Sequence, residues 1–227
     1  MLTLVITRHG LTTRSDPEQH LGQKIDVPLS DAGRVQAIAL ANRLSPIAFE
    51  RIVSSPLARA RQTAEAIAAV PGRTPRPPIE TDPRLLEMDY GAWEGLTYEQ
   101  IDALDAAGRR RWEADPARLA CPNGESGDAV ARRAGTFLAD LLDSDAGSTE
   151  DTSREAPVLV VAHSTLNRIL LCVALAIEIR EFRTRLVQSQ VNLTAVQWAQ
   201  GARPNEGRLQ LLNDVAHVRT PPQVPWE

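Results

Sequence analysis

A chain of 227 residues, 43% hydrophobic and 24% charged, is long enough to bury a sizeable core and has the composition of a globular enzyme. A formal net charge of −4 argues against nucleic acid or an anionic membrane as partner, and no apolar stretch is long enough to span a bilayer. Lys24 is the only lysine, which disfavours Schiff-base and P-loop chemistry, and Cys121 and Cys172 are too few for a disulfide framework or a zinc cluster.

The first element is a strand, Leu2 to Thr7, short and β-branched, followed at once by Arg8-His9-Gly10. No signal peptide precedes it, so a cytoplasmic location is expected. A polar loop from Leu11 to Ser30 leads to a helix through about Leu44, with Ser30 as N-cap. Ile52 to Ser55 reads as a second strand, and Pro56 opens a helix over Leu57–Val70. Ile79 to Thr81 is a short edge strand leading to Arg84-Leu85-Leu86-Glu87.

Residues from about 91 to 128 form an excursion, with short helices near Tyr98–Leu104 and Asp105–Asp115. A helix over Asp128–Leu142 follows from the spacing of Val130, Ala134, Phe137, Leu138 and Leu141. The stretch from about 143 to 156 is expected to be a mobile surface loop, and the Pro-rich end from about 220 a trailing tail. Between them come a buried strand, Val158 to Ala162, ending in His163-Ser164, and a helix over Thr165–Ala176 that takes Cys172 into the core. Two further strands follow, near Val191–Trp198 and Arg208–Leu212. This alternation predicts a single domain over residues 1–227, a three-layer α/β/α fold with a mostly parallel central sheet.

Ligands of such sheets sit outside the carboxyl ends of the strands, where His9 and His163 would meet beside Arg8. A neutral imidazole oriented through its other nitrogen is a nucleophile toward phosphorus, and a guanidinium fork suits two phosphoryl oxygens. Gly10 would let the backbone turn and approach an anion. Read alone, Arg8-His9-Gly10 also fits an ordinary polar turn. Arg59, one turn into the helix after the second strand, is placed to face the same anion near a helix N-terminus; a solvated surface position fits it equally. Three strand ends offering Arg8 with His9, Arg59, and His163 make a phosphate ester the best-suited ligand.

The order of these segments resembles the histidine phosphatase superfamily, the phosphoglycerate-mutase-like group. The resemblance runs through Arg8-His9-Gly10-Leu11-Thr12, Pro28 to Gly33 with Gln36-Ala37, and Ser54 to Ala64. It continues through Leu86 to Gly95, Asn123-Gly124-Glu125-Ser126 and Val160 to His163. It implies His9 as nucleophile, forming a phosphohistidine, with Arg8, Arg59 and His163 holding the phosphoryl oxygens. Glu87 would be the proton donor to the leaving alcohol and then the base for water, with Asp89 and Glu94 as competing carboxylates. Ser15 stands where the family often has Asn, and Ser164 where Gly is usual; both are expected beside the phosphate. His20 and His217 read as peripheral, and Trp93 and Tyr98 as packing residues.

The implied activity is a metal-independent phosphomonoesterase acting on a small phosphorylated metabolite, with no cofactor and no metal ligand set. Tyr90-Gly91-Ala92-Trp93-Glu94-Gly95 resembles the phosphatase branch. Phosphoglycerate mutase is the alternative, with Arg109, Arg110 and Arg111 as substitute charge, although three arginines on one helix also read as a solvated face. An inactive binding protein of the same fold would have lost one of the four phosphate-facing residues, and all are present. Physiological substrate and oligomeric state are not legible.

Overall fold

A computed structural model describes residues 1–72, 75–146 and 156–218. Six strands form one sheet in the order β3-β2-β4-β1-β5-β6: β1 (Leu2–Arg8), β2 (Arg51–Ser54), β3 (Ile79–Thr81), β4 (Val158–Ala162), β5 (Leu193–Trp198) and β6 (Arg208–Asp214). Pairing is parallel across β3-β2-β4-β1, antiparallel from β1 to β5 and again from β5 to β6. Five strands therefore share one direction and β5 alone opposes them. The sheet is mostly parallel, as expected.

Alternation along β1 divides the core. Leu2, Leu4 and Ile6 belong to a cluster with helices α4 (Gly127–Ala146) and α5 (Ser164–Ala174), while Val5 packs with α1 (Asp31–Arg43) and α2 (Ala58–Ala68). β4 is buried at every position, because both its faces are covered. At about 1.5–3 kcal/mol per buried Leu, Ile or Val side chain, these two clusters supply the force that holds the layers together.

Ser30 caps α1 through a bond from the Gly33 N–H, as its sequence signature predicts. Helix α2 begins two residues after Pro56, which lies ahead of the cap at Leu57 rather than inside the first turn. The two short helices expected in the excursion are both present within α3 (Tyr98–Ala114), separated as expected at Asp105, whose backbone is non-helical. Asp105 then accepts from the Gly108 N–H at 2.7 Å and so caps the second half. A four-residue helix, α6 (Phe182–Arg185), follows α5.

Helix α4 continues to Ala146, four residues into the stretch expected to be a loop. The rest of that expected loop, 147–155, and the tail from 219 lie outside the described residues. Among the described residues, no helix is long and apolar enough to cross a membrane.

Candidate active site

The strand pairing brings the two histidines together. Arg8 lies opposite Ala162 in the β1–β4 ladder, and the His9 N–H extends the ladder to Ala162 O at 3.0 Å. On the other side of β4, the Ser55 N–H reaches Val161 O at 3.0 Å. His9, His163 and Ser55 thus leave three adjacent central strands side by side, and the imidazole rings of His9 and His163 are 5.1 Å apart.

His9 is held through one nitrogen. Its Nδ1 donates to Gly10 O at 2.7 Å, and burial, then the charges of Arg59 and Arg8, keep the ring well below its ordinary pKa. A neutral ring with its proton on Nδ1 has a free lone pair on Nε2. Burial, followed by Arg59, likewise holds His163 neutral. Its Nε2 meets the Ser55 hydroxyl at 2.8 Å and its Nδ1 is buried without a partner. The Leu57 N–H donates to Ser55 Oγ, so the hydroxyl proton is available to Nε2; in that tautomer Nδ1 of His163 is a donor.

Gly10 is needed for a different contact from the one its position suggests. A Cβ there would come within 2.6 Å of Gly33 O, so the strand end seats directly on the first turn of α1. Close packing of loop on helix requires the glycine.

A cavity of about 150 Å³ opens above these strand ends, lined by Arg8, His9, Ser15, Glu87 and Ser164 among others. Arg59 and His163 are fully buried behind that wall. The Arg59 guanidinium donates to the carbonyls of Leu21, Gly22 and Ile25, pinning the loop that follows β1, and its Nε is unpaired. The N-terminus of α2, expected to attract the anion, is taken by Asp26, whose carboxylate accepts from the Ala58 N–H at 2.7 Å. Ser15 Oγ accepts from the Thr12 N–H at 3.0 Å and so shapes the loop as well as lining the pocket.

Glu87 is buried, with both carboxylate oxygens engaged. Oε1 accepts from the N–H groups of Met88 and Leu166, and Oε2 from that of Thr165. It thereby caps the N-terminus of α5, and Oε2 keeps one free lone-pair site. Its competitors are committed elsewhere: Asp89 accepts from the Gly91 N–H and pairs with Lys24, and Glu94 accepts from the N–H groups of Lys24 and Ile25.

A family model described as the histidine phosphatase superfamily (branch 1) matches residues 4–214. The chain belongs to this superfamily. Glucosyl-3-phosphoglycerate phosphatase of Mycolicibacterium vanbaalenii is 38% identical over 165 residues, 72% of this chain and 69% of that protein. Phosphoserine phosphatase 1 of Hydrogenobacter thermophilus is 29% identical over 182 residues, covering 80% of each. Among solved structures, a mycobacterial glucosyl-3-phosphoglycerate phosphatase in complex with VO3 superposes with a TM-score of 0.81 at 30% identity, covering 94% of this chain and 99% of that one. The Bacillus stearothermophilus protein YhfR gives 0.82 at 26% identity, covering 96% and 100%.

As a histidine phosphatase the chain is a hydrolase with a phosphoglycerate-mutase-like fold, and several residues around its pocket escaped the sequence reading. His20, expected to be peripheral, lines the cavity, its ring edge-on to Tyr90 at 4.9 Å and to Tyr98 at 4.7 Å. Tyr98 is a partly exposed wall residue, whereas Trp93 is buried against Trp112 as expected. Arg14 and Arg168 also line the cavity. Arg133 donates to the carbonyls of Arg84, Leu86 and Glu87 while pairing with Glu125, which in turn accepts from the Asp89 N–H. That network holds the segment bearing Glu87. The Asn123-Gly124-Glu125-Ser126 motif was its one sequence signal. Arg110 and Arg111 are exposed, and Arg109 pairs with Asp102 and Glu113. Among the described residues, no cluster of His, Cys, Asp and Glu could hold a metal ion.

Proposed function

We propose that the chain is a metal-independent phosphomonoesterase that hydrolyses a small phosphorylated metabolite through a phosphohistidine on His9. In the first step, Nε2 of His9 bonds to phosphorus as the bond to the ester oxygen breaks. That oxygen takes a proton from Glu87, carried on the free site of Oε2. In the second step, water attacks phosphorus, gives its proton back to Glu87, and the phosphorus–nitrogen bond breaks to release phosphate and neutral His9. Arg8 and Arg59 balance the charge of the transferring group, and His163 donates to one of its oxygens; Ser15 and Ser164 border it.

The observation that carries this reading is the state of His9: neutral, tied through Nδ1 to Gly10 O, with Nε2 free near the guanidinium groups of Arg59, fully buried, and Arg8, partly buried. The names of the relatives, phosphatases of glucosyl-3-phosphoglycerate and of phosphoserine, support hydrolysis over isomerisation. The test is phosphate release from an aryl phosphate by the wild type and by His9→Ala. The reading expects a loss of at least about a thousandfold, by analogy with removal of a nucleophile acting as a unit with its neighbours. Equal rates would remove His9 from the mechanism. Conversion of 3-phosphoglycerate to 2-phosphoglycerate in the presence of 2,3-bisphosphoglycerate, without phosphate release, would favour a mutase instead.

A further inference from the structure

One tautomer serves opposite ends in the two histidines. With its proton on Nδ1, His9 gives that N–H to Gly10 O and leaves the lone pair of Nε2 open. With its proton also on Nδ1, His163 sets the lone pair of Nε2 against the Ser55 hydroxyl and leaves the Nδ1–H open. The rings are 5.1 Å apart, close enough to share one phosphoryl group. What makes one ring an attacking group and the other a donor is the partner of the engaged nitrogen: a carbonyl for His9, a hydroxyl for His163.

The surroundings of Ser55 fix which way its bond to the imidazole runs. Ser55 is fully buried and held at every polar atom. Its N–H donates to Val161 O at 3.0 Å, its carbonyl accepts from the Ser54 hydroxyl at 2.9 Å, and Oγ accepts from the Leu57 N–H at 3.4 Å. Among the described residues, His163 Nε2 is the one acceptor within reach of the hydroxyl proton. With the bond reversed, Nε2–H would donate to Oγ. The hydroxyl proton would then lie buried with nothing to bind, and Nδ1 would present an unpartnered lone pair. Two buried groups would be stranded instead of one, so the Nδ1–H form prevails.

An open lone pair on His163 would do harm twice. It would repel a phosphoryl oxygen, and it would offer phosphorus a second nucleophile beside His9. We propose that Ser55 is a positioning residue that fixes the roles of the two histidines: its hydroxyl occupies the His163 lone pair, so His163 acts as donor and attack is left to His9. The Ser55 proton stays on Oγ throughout, and no bond to Ser55 forms or breaks. This proposal rests on the phosphatase reading and deepens it.

The test reads ring protonation directly. In enzyme carrying nitrogen-labelled histidine, long-range proton–nitrogen correlation spectra near neutral pH distinguish a protonated Nδ1 from a protonated Nε2. The His163 signals are assigned by their loss in His163→Asn. The wild type is expected to show His163 in the Nδ1–H form alone. In Ser55→Ala both tautomers appear, and kcat on an aryl phosphate falls about tenfold to a hundredfold, by analogy with loss of the outer partners that orient metal-bound histidines. Ser54→Ala is the control, because it deletes an equally buried hydroxyl that bonds to Ser55 O and not to the imidazole. There the Nδ1–H form persists and kcat loses far less. A wild type with the His163 proton on Nε2 would overturn the proposal without any variant. So would a Ser55→Ala enzyme that keeps the Nδ1–H form, one that changes tautomer at unaltered kcat, or equal effects of Ser54→Ala and Ser55→Ala. The spectra need no turnover, so failure of the phosphatase reading shows separately, as absence of phosphate release from an aryl phosphate by the wild type.

Discussion

Two histidines leave neighbouring strands, yet their hydrogen bonds give them different work. His9 spends Nδ1 on Gly10 O and keeps Nε2 free, whereas His163 spends Nε2 on Ser55 and keeps Nδ1. Glu87 completes the set through the one lone-pair site its three backbone donors leave open. Glu87→Gln retains the shape but has no proton to give. It should lower kcat on alkyl phosphates by about a hundredfold to ten-thousandfold, while aryl phosphates, whose leaving groups need little protonation, lose far less. Equal losses on both, measured by phosphate release, would mean that Glu87 does not protonate the leaving oxygen. Arg8 and His9 were legible because a buried strand ending in charged residues is conspicuous. His20 was not, since the loop from Leu11 to Ser30 has no periodicity that says which way a side chain points. Arg168 was hidden differently: its spacing from Ser164 was readable, but α5 reads as an apolar helix on which one arginine draws no notice.

Two helices start beside the site, and a carboxylate sits on each: Asp26 on α2 and Glu87 on α5. Their dipoles therefore hold protein groups in place, and the positive charge for a substrate comes from arginines. The segment from Arg84 to Asp89 has no regular structure beyond a single 3-10 turn, and Arg133 with Glu125 anchors it from α4. Arg133→Ala strips these contacts and leaves Glu125 without its partner. A stability loss of about 1.5–3 kcal/mol is expected for hydrogen bonds to a charged group, read from the denaturant midpoint. Because Arg133 does not itself line the cavity and reaches it only through the backbone of Glu87, kcat should fall about tenfold or more through misplacement of Glu87, with KM changed little. An unchanged kcat would show that Glu87 holds its position without this anchor. At this scale the sequence spoke well of regular elements: Ser30 announced its helix, and the break at Asp105 was visible as a boundary. It could not show that Arg133, lying on an amphipathic helix as an ordinary polar position, turns inward to three carbonyls.

Across the whole molecule, the four histidines share one electrostatic character. His9, His20, His163 and His217 are all held below their ordinary pKa, in each case chiefly by burial. The unfolded chain takes up protons near pH 6.5 that the folded form refuses, so stability is full above that pH and declines as the pH falls below it. Each histidine contributes up to about 1.4 kcal/mol per pH unit in that range. The urea midpoint should therefore drop clearly from pH 7.5 to pH 5.5, and the drop should be shallower in His163→Asn. A midpoint that holds or rises toward pH 5.5 would contradict the burial of neutral imidazoles.

The parallel core of the sheet was legible from its strand–helix alternation, and it is this core that sets β1 beside β4 and so His9 beside His163. The opposite direction of β5 was not, because its apolar residues read the same either way. Residues from distant parts of the chain thus meet at one strand-end cavity, and the account holds that they serve phosphoryl transfer to a single nitrogen. Rapid quenching of the enzyme with a labelled phosphate ester tests this most directly. The account predicts label on His9, lost in acid and retained in base. Label on a serine or an aspartate, or turnover with no labelled protein at any quench time, would contradict it.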